Sequence, residues 1–342
     1  MRRWGLLAAA VAAATAVLTH VGAPAAFLLG ALVGGLAVAL TVGGPPVPAR
    51  AGTAGQAVIG ASVGTLVSVD LLEELARHGV VIAAALVFTM VSSLAWGQVL
   101  RYQPGVSPVT ASFAAIAGGA SGVVATAREV GADEPVVATI QYLRVLFVLF
   151  TMPVVAKLYD PTASTVGPGM SEGGTTLASY GFALVAILVG LALLRFLDFP
   201  GAPVLVPMLV TAGLVATGWF PDTVVPAPVL NAGYVIIGVQ VGLKFTRATL
   251  RILARLLPLA FVQIIGTVAS CAAAGWVMAE LTDIGQLDAY LATTPGGLYA
   301  VIAVALSTNS DTGLVFSLQV LRLFASLLLV PLLARIHRSS RP

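Results

Sequence analysis

Twelve long runs of apolar residues make up most of this chain, and short polar stretches separate them. Their lengths are about the 17–25 residues that an α-helix needs to cross the hydrocarbon layer of a membrane. The pattern therefore predicts an all-α integral membrane protein. The runs cover residues 4–20, 24–42, 53–69, 78–99, 108–130, 134–156, 179–197, 200–218, 224–243, 254–279, 286–307 and 312–334.

The composition agrees with a membrane protein and excludes several other classes. Hydrophobic residues make up 58% of the chain and charged residues 9%, whereas soluble domains contain about 25% charged residues. The single cysteine, Cys271, excludes a disulfide framework, and the three histidines show no spacing suited to a metal. Because no nucleophile-base pair or phosphate-binding loop occurs either, we predict that the protein is not an enzyme and uses no cofactor.

The two halves of the chain repeat each other. Pairing residues 110–157 with 288–335 at a constant offset of 178 gives 15 identities in 48 positions. Such duplication is common in transporters built from two structural repeats. We predict a first repeat over 1–158, a linker over 159–178, a second repeat over 179–336 and a basic tail over 337–342. The matches include Gly118/Gly119 with Gly296/Gly297, Gln141 with Gln319, Arg144 with Arg322 and, earlier in each half, Gly60/Gly64 with Gly238/Gly242.

The basic residues indicate how the runs cross the membrane. If all twelve crossed, the loop lysines and arginines would divide almost evenly between the two sides, against the positive-inside rule. If runs 108–130 and 286–307 instead enter and leave on the same side, 13 of these residues lie inside and 2 outside. We therefore predict ten spanning helices and two re-entrant hairpins, in two inverted repeats with both termini cytoplasmic. A glycine pair at the centre of each hairpin would permit the positive φ of a sharp reversal.

A polar pair interrupts an apolar run in each half, in TIQYLRV (139–145) and SLQVLRL (317–323). Each arginine follows by eleven residues an aspartate at a predicted helix start (144 − 133 and 322 − 311). Eleven helical residues span ~16 Å, which places both arginines near the membrane midplane, where a charge costs at least ~2.5–3.5 kcal/mol. Each arginine therefore needs a polar partner or a cavity.

Two hypotheses account for these arginines, and both can hold. Each either binds the backbone carbonyls of its neighbouring hairpin or supplies positive charge to an anion site. No acidic residue lies deep in a predicted spanning segment, and guanidinium groups bind carboxylates through two parallel hydrogen bonds, so we expect a small organic carboxylate. The predicted substrate-binding residues are Gln141, Arg144, Gln319 and Arg322 as polar anchors, Gly118, Gly119, Gly296 and Gly297 as hairpin turns, and Ser121 and Tyr299 as neutral groups for specificity.

Four motifs resemble those of the AbrB-type membrane protein family: PAAFLLGAL (24–32), VIGASVG (58–64), GADEPVVATIQYLRVLFVLFTMP (131–153) and TTPGGLYAVIAVAL (293–306). The likeness extends over nearly the whole chain. It implies a bacterial inner-membrane protein similar to secondary transporters, with small organic acids such as shikimate as the suggested substrates. The family's hairpin motif is roughly Pro-Gly-Gly-Leu-Ser/Ala-Glu-Met, and here Gly122 and Ala300 stand at the two glutamate positions.

Other functions stay open at this point. A passive anion channel would share the same electrostatics, and a non-transporting regulatory subunit would use the arginines for structure alone. The expected partners are a small organic anion and the lipid bilayer. A nucleic acid partner is not expected because the basic residues form no surface block, and a homo-oligomer is left open.

Overall fold

The computed structural model describes residues 2–23, 25–65, 73, 76–116, 123, 127, 130–159, 176–197, 201–217, 224–245, 247–308 and 310–339. Every regular element within these ranges is helical, which confirms the all-α prediction. A 3-10 turn, Gln98–Tyr102, extends the fourth helix. The helices are α1 Arg2–His20, α2 Ala26–Thr41, α3 Ala49–Gly64, α4 Gly79–Gly97, α5 Pro108–Ala115, α6 Glu134–Tyr159, α7 Leu177–Leu193, α8 Ala202–Ala216, α9 Ala227–Gly242, α10 Arg247–Leu281, α11 Gln286–Thr293, α12 Leu298–Ala305 and α13 Thr312–Ser339.

Helices occupy all twelve apolar runs of the sequence. Within the described ranges, four helices are long and apolar enough to cross a membrane: α1, α4 with its 3-10 extension, α6, and α10 from Ala254 to Leu281. Helices α2, α7, α8 and α9, and the first part of α13, are apolar but have 10–17 residues. These helices are those of a membrane protein, and the number of crossings stays a prediction from the sequence.

Both runs that were predicted to form hairpins are interrupted. Helix α5 ends at Ala115, and Ile116 after it has φ −55° and ψ 121°. Helix α11 ends at Thr293, and Thr294 is extended before the chain becomes helical again in α12. The tip of the first interruption, with the predicted site residues Gly118, Gly119 and Ser121, lies outside the described residues.

One compact unit is formed by residues 1–72, 153–246 and 302–313. Its helix pairs include α1–α2, α2–α9, α3–α8, α3–α9 and α7–α8. Glycines allow close contacts, because a Cβ on Gly60 would meet the Val204 carbonyl of α8 and one on Gly238 would meet the Leu28 carbonyl of α2. Such small residues let helices approach closely in lipid, where van der Waals contact drives association.

A second compact unit is formed by residues 73–152, 247–301 and 314–342. Helix α4 packs against α10, the short α5 packs against α4, and the short α11 packs against α10. Gly97 and Gly275 make room for the short helices: a Cβ on Gly97 would meet Ala115, and one on Gly275 would meet the Ala289 carbonyl. Each compact unit draws on both halves of the chain, so the predicted division into two repeats describes the duplication of the sequence and stays a prediction.

Candidate functional site

The first Gln-Arg pair lies on α6 and binds the carboxyl end of α5. Arg144 is 2% exposed; its Nη1 donates to the Ala115 carbonyl at 3.0 Å and its Nη2 to the Ile116 carbonyl at 2.9 Å. Gln141 Nε2 donates to the carbonyls of Phe113 at 3.1 Å and Ile116 at 2.8 Å. Arg144 Nη2 also donates to Gln141 Oε1 at 2.6 Å, so the two side chains form one unit.

The second pair lies on α13 and binds the carboxyl end of α11 in the same way. Arg322 is 3% exposed, and its Nη1 donates to the carbonyls of Thr293 at 2.9 Å and Thr294 at 2.6 Å. Gln319 Nε2 donates to the carbonyls of Leu291 at 2.7 Å and Thr294 at 3.2 Å. Arg322 Nη2 donates to Gln319 Oε1 at 2.7 Å.

The two clusters have the same arrangement of donors and acceptors at equivalent positions of the two halves. The residue numbers of the donors differ by 178, from Gln141 to Gln319 and from Arg144 to Arg322. Those of the acceptors differ by 178 as well, from Phe113, Ala115 and Ile116 to Leu291, Thr293 and Thr294. This is the offset of the sequence duplication. The duplication therefore extends to the hydrogen bonds of the site.

Interrupted helices explain why the chain places arginine here. The last four carbonyls of a helix have no partner within the helix, and that end carries a partial negative charge. Helices α5 and α11 end among buried residues, where water cannot supply the missing donors and an unpaired carbonyl is costly. These contacts are those of the first hypothesis, in which each arginine binds its hairpin backbone, and the anion site stays a prediction.

The same contacts show that each short helix runs parallel to the long helix that binds it. The Asp133 amide, just before α6, donates to Thr110 Oγ1 in the first turn of α5 at 3.0 Å. Further along both helices, Gln141 reaches Phe113 and Arg144 reaches Ala115. Because α5 and α6 start side by side and proceed in one direction, the chain between them must return to the end from which α5 began. Helices α11 and α13 pair in the same order.

The site keeps two like charges with unused donors. Each hydrogen bond of the two guanidinium groups goes to a neutral oxygen, a carbonyl or a glutamine amide. Three bonds from five N–H groups leave two N–H groups on each arginine, and Arg144 Nε is buried without a partner. Arg322 also acts electrostatically on Arg144, and Cys271 lies within electrostatic range of both.

Gly296 and Gly297 lie at the described turn, but for a different reason from the predicted one. Neither has a positive φ, so this turn does not use left-handed backbone. A Cβ on Gly296 would lie 2.5 Å from Val148 Cγ1, and one on Gly297 would lie 3.3 Å from Val145 Cγ1. Glycine is therefore required so that the turn can approach α6 beside Arg144. Tyr299 lies in the first turn of α12, and its side chain lies outside the described atoms.

Sequence reasoning missed Ser93 on α4. Its hydroxyl is buried and donates at 2.6 Å to the Ala115 carbonyl, the acceptor that Arg144 also uses. The equivalent position in the second half is Cys271, since 93 + 178 = 271. Applying the offset to the helix before each hairpin would have found this pair, and also Gly97 with Gly275.

We expect Ser93→Ala to lower the free energy of unfolding by about 1 kcal/mol, because the Ala115 carbonyl keeps Arg144 but loses its second donor. Ser92→Ala is the matched control, since the Ser92 hydroxyl donates only within its own helix, to the Thr89 carbonyl. Thermal unfolding in detergent measures both. Equal losses for the two variants would contradict a special role for Ser93.

No group of three His, Cys, Asp or Glu side chains that could hold a metal occurs in the part of the chain that the structure describes. The second unit contains two buried arginines, each bound to the end of a short helix. The fold and the site define a helical membrane protein with two interrupted helices, each anchored by a Gln-Arg pair.

Comparison with known proteins gives the family. The family model described as "Transition state regulatory protein AbrB" matches residues 27–338, and the chain belongs to this AbrB family. It is 32% identical over 347 aligned positions, covering 99% of this chain and 98% of the other, to the Escherichia coli (strain K12) protein named "Putative regulator AbrB". It is 26% identical over 291 positions, covering 81% of this chain and 76% of the other, to the Bacillus subtilis (strain 168) protein "Uncharacterized protein YhjN".

Proposed function

We propose that this protein is a secondary transporter that carries a small organic anion, a carboxylate, across the bacterial inner membrane by alternating access. The anion binds near Arg144 and Arg322. The observation that carries the proposal is that both guanidinium groups are buried and that, within the described part of the chain, their hydrogen bonds go to neutral oxygens and leave two N–H donors on each.

The charge balance favours an anion as the ligand. A helix end contributes roughly half a negative charge at most, and less for helices as short as α5 and α11. Each arginine therefore keeps at least about half of its positive charge after it binds the helix end. A buried positive charge is costly unless it is paired, and a bound carboxylate would pair with it through the remaining donors.

The absence of the glutamates of the family motif also favours an anion as the ligand. Ala300 stands at the glutamate position of the second hairpin, in α12, and is 2% exposed. A carboxylate at this buried position would add a negative charge to the unit that holds both arginines, whereas a methyl group cannot. The substrate carboxylate then supplies the negative charge that the chain lacks, and coupling to a proton through that residue is removed from the mechanism.

The topology that we propose has ten spanning helices and two re-entrant hairpins. Its support is the parallel pairing of α5 with α6 and of α11 with α13, since the chain must turn back after each short helix. With five crossings in each half, the repeats are inverted, so the hairpins enter from opposite sides. Both termini then lie in the cytoplasm, in agreement with the positive-inside rule.

The test begins with a thermal-unfolding screen of the detergent-solubilised protein against shikimate, other hydroxycarboxylates, dicarboxylates and sulfonates. A ligand at 100 times its dissociation constant adds about 2.7 kcal/mol to the stability of the folded state. We expect a carboxylate to stabilise the protein, Arg144→Gln and Arg144→Lys to abolish or reduce that response, and Arg101→Gln to preserve it. Arg101 is the control because its side chain is exposed.

Transport itself is measured by counterflow in proteoliposomes with the carboxylate that stabilises the protein. Uptake that saturates and is accelerated by the same anion inside the vesicle indicates a carrier. Uptake without acceleration indicates a passive channel instead. If no anion stabilises the protein, the proposal fails.

The alternative is a regulatory membrane subunit that does not transport. Two observations favour it: three of the five N–H groups of each arginine are already used by the protein itself, and the family description names a regulator. In that case the arginine variants would lose stability without any anion response to lose.

A further inference from the structure

An apolar groove runs between α4 and α10 in the second unit. Its volume is about 420 Å³, and all its lining side chains are hydrocarbon or thioether groups. Val80 and Leu281 line one end of it, and Phe88 and Ala273 line the other. The groove is open, since Val80 is 86% and Leu281 64% exposed.

The duplication provides an internal comparison for this groove. Trp96 on α4 lies against Gly266 on α10, and its Nε1–H donates to Ser270 Oγ at 2.9 Å. The position equivalent to Trp96 is Ala274, since 96 + 178 = 274, and Ala274 lines the groove. At one place between α4 and α10 the indole ring of Trp96 fills the space. At the equivalent place Ala274 has only a methyl group, and the groove is left.

The aromatic residue of the counterpart does not close the gap. Phe88 stands at the position equivalent to Gly266 (266 − 178 = 88), but its ring is 50% exposed and lines the groove. A surface void of this kind lacks dispersion contacts on its open side. An apolar group that enters the groove would therefore gain dispersion contacts with its walls.

The length of the groove and the apolar character of its walls fit a lipid chain. From Val80 to Phe88 the groove covers eight residues of helix, or ~12 Å, which is most of one leaflet of the hydrocarbon layer. Both walls are helices long and apolar enough to span the membrane. A slot of this length is too small for a stable protein interface, which buries roughly 1,200 Å² or more, but it accepts one extended acyl chain.

Charged residues of both signs lie at the outer end of the groove. Arg77 precedes α4 by two residues, and Glu280 and Asp283 lie at the end of α10; all three side chains are exposed. Trp96 near the end of α4 lies against Gly266 of α10, whereas the start of α4 lines the groove with the end of α10. The two helices are therefore antiparallel, and these charges lie at the same end of the groove. A head group with a phosphate and an ammonium, such as that of phosphatidylethanolamine, matches a mouth with both signs.

We propose that the α4–α10 groove binds one acyl chain of a zwitterionic phospholipid, which fills the space that Trp96 fills in the other half of the duplication. The lipid is then a structural ligand of the second unit. The test of this inference is separate from that of the anion site, because the groove variants change no residue of the Gln-Arg pairs.

The test is Ala274→Trp, which places an indole in the groove at the position equivalent to Trp96. After delipidation in detergent, dioleoylphosphatidylethanolamine is titrated back while native mass spectrometry and thermal unfolding are recorded. We expect the original protein to retain a single phospholipid per chain and to gain roughly 2–4 °C in its unfolding midpoint at saturation. We expect Ala274→Trp to retain none, to lose the lipid-dependent gain, and to be at least as stable as the original protein without lipid.

Leu188→Trp is the matched control, since Leu188 lies on α7, outside the groove, and is 55% exposed. It should behave as the original protein does. If Ala274→Trp does not fold, Ala84→Phe fills the groove from the exposed α4 wall and carries the same expectation. Retention of the lipid by the groove variants, or no saturable lipid effect in the original protein, would overturn the proposal. A change from dimer to monomer in Ala274→Trp with unchanged lipid content would do so too, because a second copy would then be the occupant.

Discussion

Arg322→Gln is expected to lower the free energy of unfolding by about 3 kcal/mol. The change removes the Arg322 donors to the Thr293 and Thr294 carbonyls and to Gln319 Oε1, although the Thr294 carbonyl keeps its hydrogen bond from Gln319 Nε2. Hydrogen bonds from charged donors contribute about 1.5–3 kcal/mol each, and buried acceptors left without a donor are costly. Part of this loss is offset because the mutation also removes a buried charge that has no ionic partner.

Arg322→Lys distinguishes the geometry of the group from its charge. Lysine restores a positive charge but has no planar fork with which to reach two successive carbonyls and a glutamine together. We therefore expect it to recover only part of the lost stability. Arg101→Gln, an exposed change, should stay within about 0.5 kcal/mol of the original protein.

Thermal unfolding in detergent, with no anion added, measures these three variants. If Arg322→Gln unfolds at the same temperature as Arg101→Gln, the described hydrogen bonds contribute nothing to stability. This measurement is separate from the anion response: a variant can lose stability and still respond to the anion. Loss of both indicates that one side chain serves both purposes.

The second large effect is expected for Gly60→Leu in the first unit. A Cβ at Gly60 would overlap the Val204 carbonyl of α8, which is backbone and cannot rotate away. Overpacking of a close contact costs about 1–3 kcal/mol and occasionally more. We therefore expect a loss of about 3 kcal/mol, or failure to fold, because α3 and α8 must separate.

Gly213→Leu provides the matched control on α8. A Cβ there has no atom within 4 Å, and leucine favours the helix over glycine by up to about 1 kcal/mol. We expect this variant to equal or exceed the original protein in its unfolding midpoint. If both variants unfold at the same temperature, close glycine packing is not what holds α3 against α8.

Asp133 lies where the sequence predicts the start of a helix, and the structure has α6 begin directly after it. Its carboxylate accepts a hydrogen bond from the Val136 amide at 3.1 Å, as expected of a residue that caps the start of α6. Such caps depend only on neighbours in the sequence, so they can be read from it. The hairpin turn shows the opposite case. The glycines at 296 and 297 were correctly placed at a turn, but the property that matters is their small size against Val148 and Val145, which are distant in the chain.

The sequence by itself determined the helical membrane class, the twelve apolar runs, the duplication and the two Gln-Arg pairs. Each of these follows from residue order: hydrophobic periodicity selects buried or lipid-facing helices, and duplication leaves identities at a constant offset. Only the tertiary structure decided what the arginines bind. Their partners are main-chain carbonyls, which every residue carries and which therefore leave no mark in a sequence. Only the tertiary structure revealed the α4–α10 groove as well, because a groove depends on how two helices that are distant in the sequence pack against each other.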